Sequence, residues 1–186
     1  MPKKQIIFSA CILLAAAAAL LWLLRPAPEP VTGGPIGTAT LTVSCENLLG
    51  DSRADPSLRA VWQSAVVAIC DAAEQLSDTN TGALMVLERN NNLDEIIRTG
   101  TPLSANVIPE MLGTIFYEGT PLHDGAVIIR DGRIVAAGCV LPLSNNLEMG
   151  KDMGTRHRAG LGMSENSDAI VVVVSEETGI ITLAKN

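Results

Sequence analysis

The pair Asp131-Gly132, set between the apolar runs Ala126–Ile129 and Ile134–Ala137, constrains the fold of this chain more than any other stretch. A two-residue turn needs positive φ at both central positions, and Asp-Gly is among the few pairs that accept this without strain. The sequence therefore predicts an antiparallel hairpin with its turn at Arg130–Arg133. Around it lie two further strand signals. Ala169–Val174 is a β-branched run, expected as a buried central strand, with 179–183 pairing to it after the Glu176-Glu-Thr turn. Gly82–Leu87 is a short apolar strand following the Asp78-Thr-Asn-Thr turn.

Helical periods alternate with these strands. Asp55-Pro56 reads as an N-cap followed by proline at the first helical position, and Leu58, Val61, Trp62, Ala65, Val66, Ile69, Cys70 and Ala73 continue at helical spacing. Residues 105–116 also read as a helix, with Val107, Ile108, Met111, Leu112, Ile115 and Phe116 on one side. The expected fold class is α/β: a mixed β-sheet flanked by helices.

Ahead of this domain, Ile6–Leu24 is a stretch of nineteen residues, apolar but for Ser9 and without a charge, bounded by Lys3-Lys4 and by Arg25. That length is near the roughly 20 residues a membrane-spanning helix requires. A cleaved signal peptide would need a shorter apolar region and a small-x-small site, whereas Arg25-Pro-Ala-Pro-Glu-Pro follows here. A lipoprotein reading fails too, because Cys11 precedes most of the apolar run. The expected organisation is one N-terminal transmembrane helix as a membrane anchor at 1–25, a linker at 26–37 with four prolines and three glycines, and a folded domain at 38–186.

A net charge of −7 excludes a general nucleic-acid binder, which would need a broad basic surface, so no nucleic acid is expected as a partner. Sparse aromatics leave no stacking platform for single strands. The four cysteines form neither a CxxC pair nor a zinc pattern, and Cys70 and Cys139 lie in apolar runs, where small core residues are expected. A reducing compartment is implied.

Two runs carry chemistry. Pro121-Leu-His-Asp-Gly-Ala126 places a carboxylate and an imidazole just before the hairpin's first strand, and Gly154-Thr-Arg-His-Arg158 clusters two guanidinium groups at the start of a predicted helix. A carboxylate can hold a metal or deprotonate a hydroxyl, and arginines grip phosphate. An Asp-Gly is by itself often a mere turn and a basic run a solvated face. Their conjunction points to phosphoryl or nucleotidyl transfer, where catalysis is mostly positioning and charge neutralisation.

Asp124-Gly125-Ala126 and Arg156-His157-Arg158 resemble the DGA and RHR motifs of diadenylate cyclases, which make cyclic di-AMP from two ATP. The likeness starts near Gly82–Arg89, passes through Val140-Leu-Pro-Leu-Ser144 and runs to Ser175-Glu-Glu-Thr-Gly179. It implies a catalytic domain at 38–186 that joins two ATP with release of two pyrophosphates across a face-to-face homodimer. Asp124 would engage the 3′-hydroxyl, and Gly125 would let the ribose approach. Arg156 and Arg158 would bind the triphosphate with Thr155 and the amide groups at the helix start, and Ala126 would be among the substrate-binding residues. His157 belongs to the same substrate-binding run, although alternate residues point differently and its ring is expected to support the loop. Adenine would lie among Met85, Leu141 and their neighbours, with Ser175 at its polar edge. Some relatives have tyrosine where Val140 stands. A divalent metal, Mn²⁺ or Mg²⁺, would be held by His123 and Glu177, with imidazole favouring Mn²⁺.

Lys3-Lys4 against Arg25 alone gives a small bias for a cytoplasmic N-terminus, which one span would turn into an external domain. ATP is inside the cell, and on that ground the catalytic domain is placed in the cytoplasm, at the cell membrane by a single pass; membrane-bound relatives often carry three. Two other classes fit the same residues: a catalytically silent nucleotide-binding sensor or scaffold, and a nucleotidyltransferase or phosphohydrolase acting on another nucleotide.

Overall fold

The computed structural model describes residues 56–145 and 154–185. The predicted membrane span, the linker and Asp55 lie outside the described residues, among which no helix is long and apolar enough to cross a membrane. The described elements run α1 (Pro56–Asp78), β1 (Ala83–Leu87), α2 (Asp94–Ile97), β2 (Thr101–Asn106), α3 (Pro109–Phe116), β3 (Ala126–Arg130), β4 (Arg133–Cys139), α4 (Thr155–Asn166), β5 (Ile170–Val174) and β6 (Ile181–Ala184).

The strands make one six-stranded sheet in the order β2-β4-β3-β1-β5-β6. β1 and β3 pair in parallel, and every other neighbour pair is antiparallel, so the sheet is mixed as expected. β1 and β5 are buried along their whole lengths, because helices cover both faces. Alternation along the strands sorts the core into two halves. Met85, Leu87, Val127, Ile129 and Val172 pack with Trp62 and Ile69 of α1 and with Leu112 and Phe116 of α3. Leu84, Val86, Ile128, Val171 and Val173 pack with Ala159 and Met163 of α4.

The hairpin forms at the predicted turn. Asp131 and Gly132 both have positive φ, 51° and 69°, and Arg130 faces Arg133. Farther along, the register between β3 and β4 shifts twice, so β4 carries extra residues relative to its neighbour. Such bulges bend a strand, and Gly138 with φ of 66° takes the sharpest position. The bend lies beside the N-terminal ends of β1 and β3, where Cys139 pairs with Ala126.

Two expectations are corrected. Cys70 is exposed on α1, not a core residue: the buried stripe runs through Trp62, Ala65, Ile69, Ala72, Ala73 and Leu76, one helical step away. The helix expected over 105–116 begins only at Pro109. Ile108 is extended at φ −135° and ψ 149°, as a residue before proline prefers, and Thr101–Asn106 forms the outermost strand β2, with Pro102 opposite Ala136. Pairing with β4 overrode the weak local pattern there.

α4 lies tightly against the segment after β4. A Cβ at Gly162 would sit 2.2 Å from the Pro142 carbonyl oxygen and 2.6 Å from Ser144 N, both backbone atoms that cannot swing aside. Gly162→Ala is therefore expected to destabilise by about 1–3 kcal/mol through overpacking. Gly113→Ala, in α3 with nothing within 4 Å, should be neutral or stabilising. Thermal melts of both variants check the contrast.

Asp168 ties the start of β5 to the loop after β1. Its carboxylate accepts from Asn90 Nδ2 at 2.9 Å and from the backbone N–H groups of Asn91 and Asn90 at 3.0 and 3.2 Å. Partial burial pushes its pKa up, but these donors outweigh that and hold it below the usual carboxylate value. A depressed folded pKa gives stability that is present above the unfolded value of about 4 and is lost as pH falls through the folded one. Asp168→Asn should thus narrow the stability gap between pH 7 and pH 3, measured by urea melts at both.

Candidate active site

Three segments meet at the α4 side of the sheet. The first is the turn before β3. Asp124 is exposed there, and its carboxylate has no hydrogen bond or ion pair with any described residue. Gly125 holds φ of 112°, and a Cβ on it would fall 2.7 Å from Gly138 C and 2.8 Å from the Cys139 carbonyl oxygen. The close approach of β4 and the positive φ therefore by themselves require glycine at this position.

The second segment is the bent end of β4. Val140 N donates to Thr99 Oγ1 at 2.9 Å, and Ser144 is bound to α4 through its N–H to the Arg158 carbonyl at 3.0 Å and its hydroxyl to Glu165 at 2.8 Å. The third is the start of α4. Gly154 precedes it in an extended conformation, and the first N–H groups of the helix have no partner within it, which favours an anion.

Between them lies a cavity of about 510 Å³ lined by Asp124, Gly125, Leu141, Thr155 and Arg156, with Leu84, Cys139, Val140, Leu143, Ala159 and Glu176 completing the wall. This volume is typical of small-molecule sites, as is a mostly apolar wall with few polar groups. The Cys139 thiol, pushed up to about 11 by burial, is a neutral wall atom at physiological pH.

Other expected residues lie elsewhere. Met85 is fully buried on the opposite face of the sheet, against α1 and α3, and its neighbour Leu84 lines the cavity instead. Ala126 is buried behind the cavity. Arg158 is exposed and reaches the Ser144 carbonyl at 3.4 Å. It diverges from Arg156 because residues two apart on a helix do not share a face. His157 Nε2 meets Thr182 Oγ1 of β6 at 3.3 Å, so its ring braces the helix. Ser175 and Glu177 line a smaller hollow beside Gly154–His157. Ser175 Oγ accepts there from Thr178 N at 3.3 Å.

Sequence reasoning missed Glu176, whose Oε2 accepts a hydrogen bond from Arg156 Nη1, and Gly82, which lies behind that guanidinium. The signal for Leu84 over Met85 was the two-residue period of β1. Nothing in the local sequence pairs Glu176 with a residue twenty positions away.

The donors for a metal are partial. Among the described residues no three His, Cys, Asp or Glu side chains converge. His123 Nδ1 lies 2.6 Å from the Thr120 carbonyl oxygen, which can only accept, so Nδ1 carries a proton and in the neutral ring Nε2 is the nitrogen with a lone pair. One imidazole nitrogen and the free Asp124 carboxylate suit a cation that arrives with phosphate oxygens and water, not a closed protein cage.

Comparison with known proteins places the chain in a family. The chain is 49% identical to the "Diadenylate cyclase CdaS" of Bacillus thuringiensis over 118 residues, covering 63% of this chain and 59% of that protein. It is 44% identical to the "Cyclic di-AMP synthase CdaA" of Bacillus subtilis over 135 residues, 73% of this chain and 50% of that one. The chain thus spans little more than half the length of these curated relatives. A crystal structure of a DacA double mutant from Staphylococcus aureus superposes with a TM-score of 0.65 at 41% identity, over 66% of this chain and 82% of that one. The family model DAC, described as "DisA bacterial checkpoint controller nucleotide-binding", matches residues 70–186, and the chain belongs to this family.

Proposed function

We propose that the chain is a diadenylate cyclase, condensing two ATP into cyclic di-AMP with release of two pyrophosphates. The observation that carries this reading is one cavity lined both by Asp124, whose carboxylate is unpaired among the described residues, and by Arg156 at the α4 N-terminus. Asp124 engages the 3′-hydroxyl of the incoming ribose. Arg156, Thr155 and the unpaired N–H groups of α4 bind the triphosphate and take up charge as pyrophosphate leaves. Leu84, Leu141, Val140 and Leu143 offer adenine an apolar wall. Asp124 and His123 would hold a divalent metal, Mn²⁺ or Mg²⁺, which would supply charge neutralisation, while Glu177, the other expected ligand, lines the adjacent hollow. A free Asp124 favours catalysis over a silent sensor, which has no use for an unpaired carboxylate beside phosphate. Incubating the chain with ATP and Mn²⁺ and weighing the product tests the assignment: cyclic di-AMP supports it, while hydrolysis products or unchanged ATP refute it.

Catalysis is proposed to need two copies. Each ATP must present its hydroxyl to the other's α-phosphorus, and each chain has one Asp124 and one Arg156. Specific activity is expected to rise with protein concentration; a constant value down to a dilution where sedimentation shows monomer would rule this out. The apolar segment 6–24 is proposed to anchor the domain to the cytoplasmic face of the membrane, raising the local concentration of chains and favouring pairing.

A further inference from the structure

Arg156 is the cation of the cavity, and a long side chain free to sample its rotamers gives little directed binding. Three features restrict it. Nη1 donates to Glu176 Oε2, so one of the five N–H donors is committed and the others remain for phosphate. Gly82 forms the floor: a Cβ there would stand 2.6 Å from Nη1 and 2.7 Å from Cζ of Arg156. The turn that carries Glu176 is itself clasped to α1. Ser77 Oγ donates to the Gly179 carbonyl, and a Cβ on Gly179 would fall 2.6 Å from the Ser77 carbonyl oxygen.

We propose that Glu176 is a positioning residue: together with the bare floor at Gly82, it aims the Arg156 guanidinium into the cavity. This rests on the reading that the cavity takes ATP. Glu176 does not serve as a ligand of the nucleotide, since a carboxylate beside a triphosphate repels it. Its side chain is 61% exposed, so water and salt screen that repulsion while the short-range contact to Arg156 persists.

Each contact can be altered by a single mutation, and a Cβ at Gly82 would stand 3.0 Å from Glu176 Oε2 as well. Gly82 has no positive φ, and the atoms nearest an added methyl belong to the tip of a flexible side chain, so Gly82→Ala moves the guanidinium and leaves the fold intact. Misplacement by about 1 Å costs on the order of 10²-fold in rate.

The test uses the full 186-residue chain in detergent, in wild-type, Gly82→Ala and Glu176→Ala forms, each also combined with Arg156→Ala. Binding of 3′-deoxy-ATP, which cannot cyclise, is measured by calorimetry, and product formation from ATP is measured beside it. Each single variant is expected to weaken 3′-deoxy-ATP about threefold to tenfold and to lower kcat by about tenfold or more. Neither should add anything once Arg156 is alanine. Wild-type-like binding and turnover in either single variant would overturn the proposal. So would tighter binding by Glu176→Ala, which would make Glu176 a competitor of the phosphates, or losses that persist in the Arg156→Ala background. Should the wild-type chain bind the analogue yet make no cyclic di-AMP, the functional reading falls and the binding arm alone decides the role of Glu176.

Discussion

Asp124→Asn should lower cyclic di-AMP formation by about 10²–10⁴-fold while ATP affinity stays within several-fold. The substitution keeps the shape of the side chain and removes only its negative charge and basicity. Because Asp124 makes no ion pair or hydrogen bond with the described residues, no fold contact is lost with it. The effect therefore falls on chemistry rather than stability, and an unchanged melting temperature beside the collapsed rate is part of the expected result. Rates from quantified product over a range of ATP concentrations, with nucleotide affinity measured separately, provide the check. Mixing this variant with wild-type chains should let the linear intermediate accumulate, since only one of the two bond-forming steps stays competent. A variant that cyclises ATP at near the parental rate would remove Asp124 from the reaction.

Arg156→Ala should weaken both ATP binding and turnover, with kcat/KM falling by about 10²–10³-fold. The guanidinium meets the triphosphate in the ground state and meets more charge as pyrophosphate departs, so KM and kcat shift together. Arg156→Lys should rescue only part of this. An ammonium is a point charge that cannot hold Glu176 on one edge while presenting a planar fork of donors on the other. Steady-state kinetics and calorimetry on both variants separate the two contributions, and an unchanged ATP affinity in the alanine variant would exclude Arg156 from the site.

Local signals located the hairpin, β5 and the first helix because each rests on a constraint that tertiary packing does not override: positive φ at Asp131-Gly132, β-branching at 170–174, and proline at position 56. β2 was hidden because Thr101–Asn106 is an edge strand with a proline, and its alternation rests on only two apolar residues, Leu103 and Ala105. The cavity was legible in Asp124, Leu141, Thr155 and Arg156. Met85, expected beside adenine from the resemblance, faces α1 and α3, because alternation along β1 turns Leu84 to the cavity instead. Arg158, grouped with Arg156 by the resemblance, points away from it because two steps along a helix turn a side chain through about 200°. Glu176 and Gly82 belong to the site only through contacts between segments distant in the chain, and one sequence without its relatives holds no record of those.

Pro102 on the outermost strand bears on a hazard separate from catalysis. An open sheet edge presents a row of amide donors and carbonyls on which another strand can grow. β2 breaks that row with a residue that has no N–H, and its pairing with β4 shifts register just beyond, between Pro102 and Ala105. Chains crowded on a surface would otherwise be prone to open-ended strand addition at this edge. Capped in this way, the β2 margin resists fibre growth, and replacing Pro102 with a β-branched residue would turn it into a nucleus for aggregation.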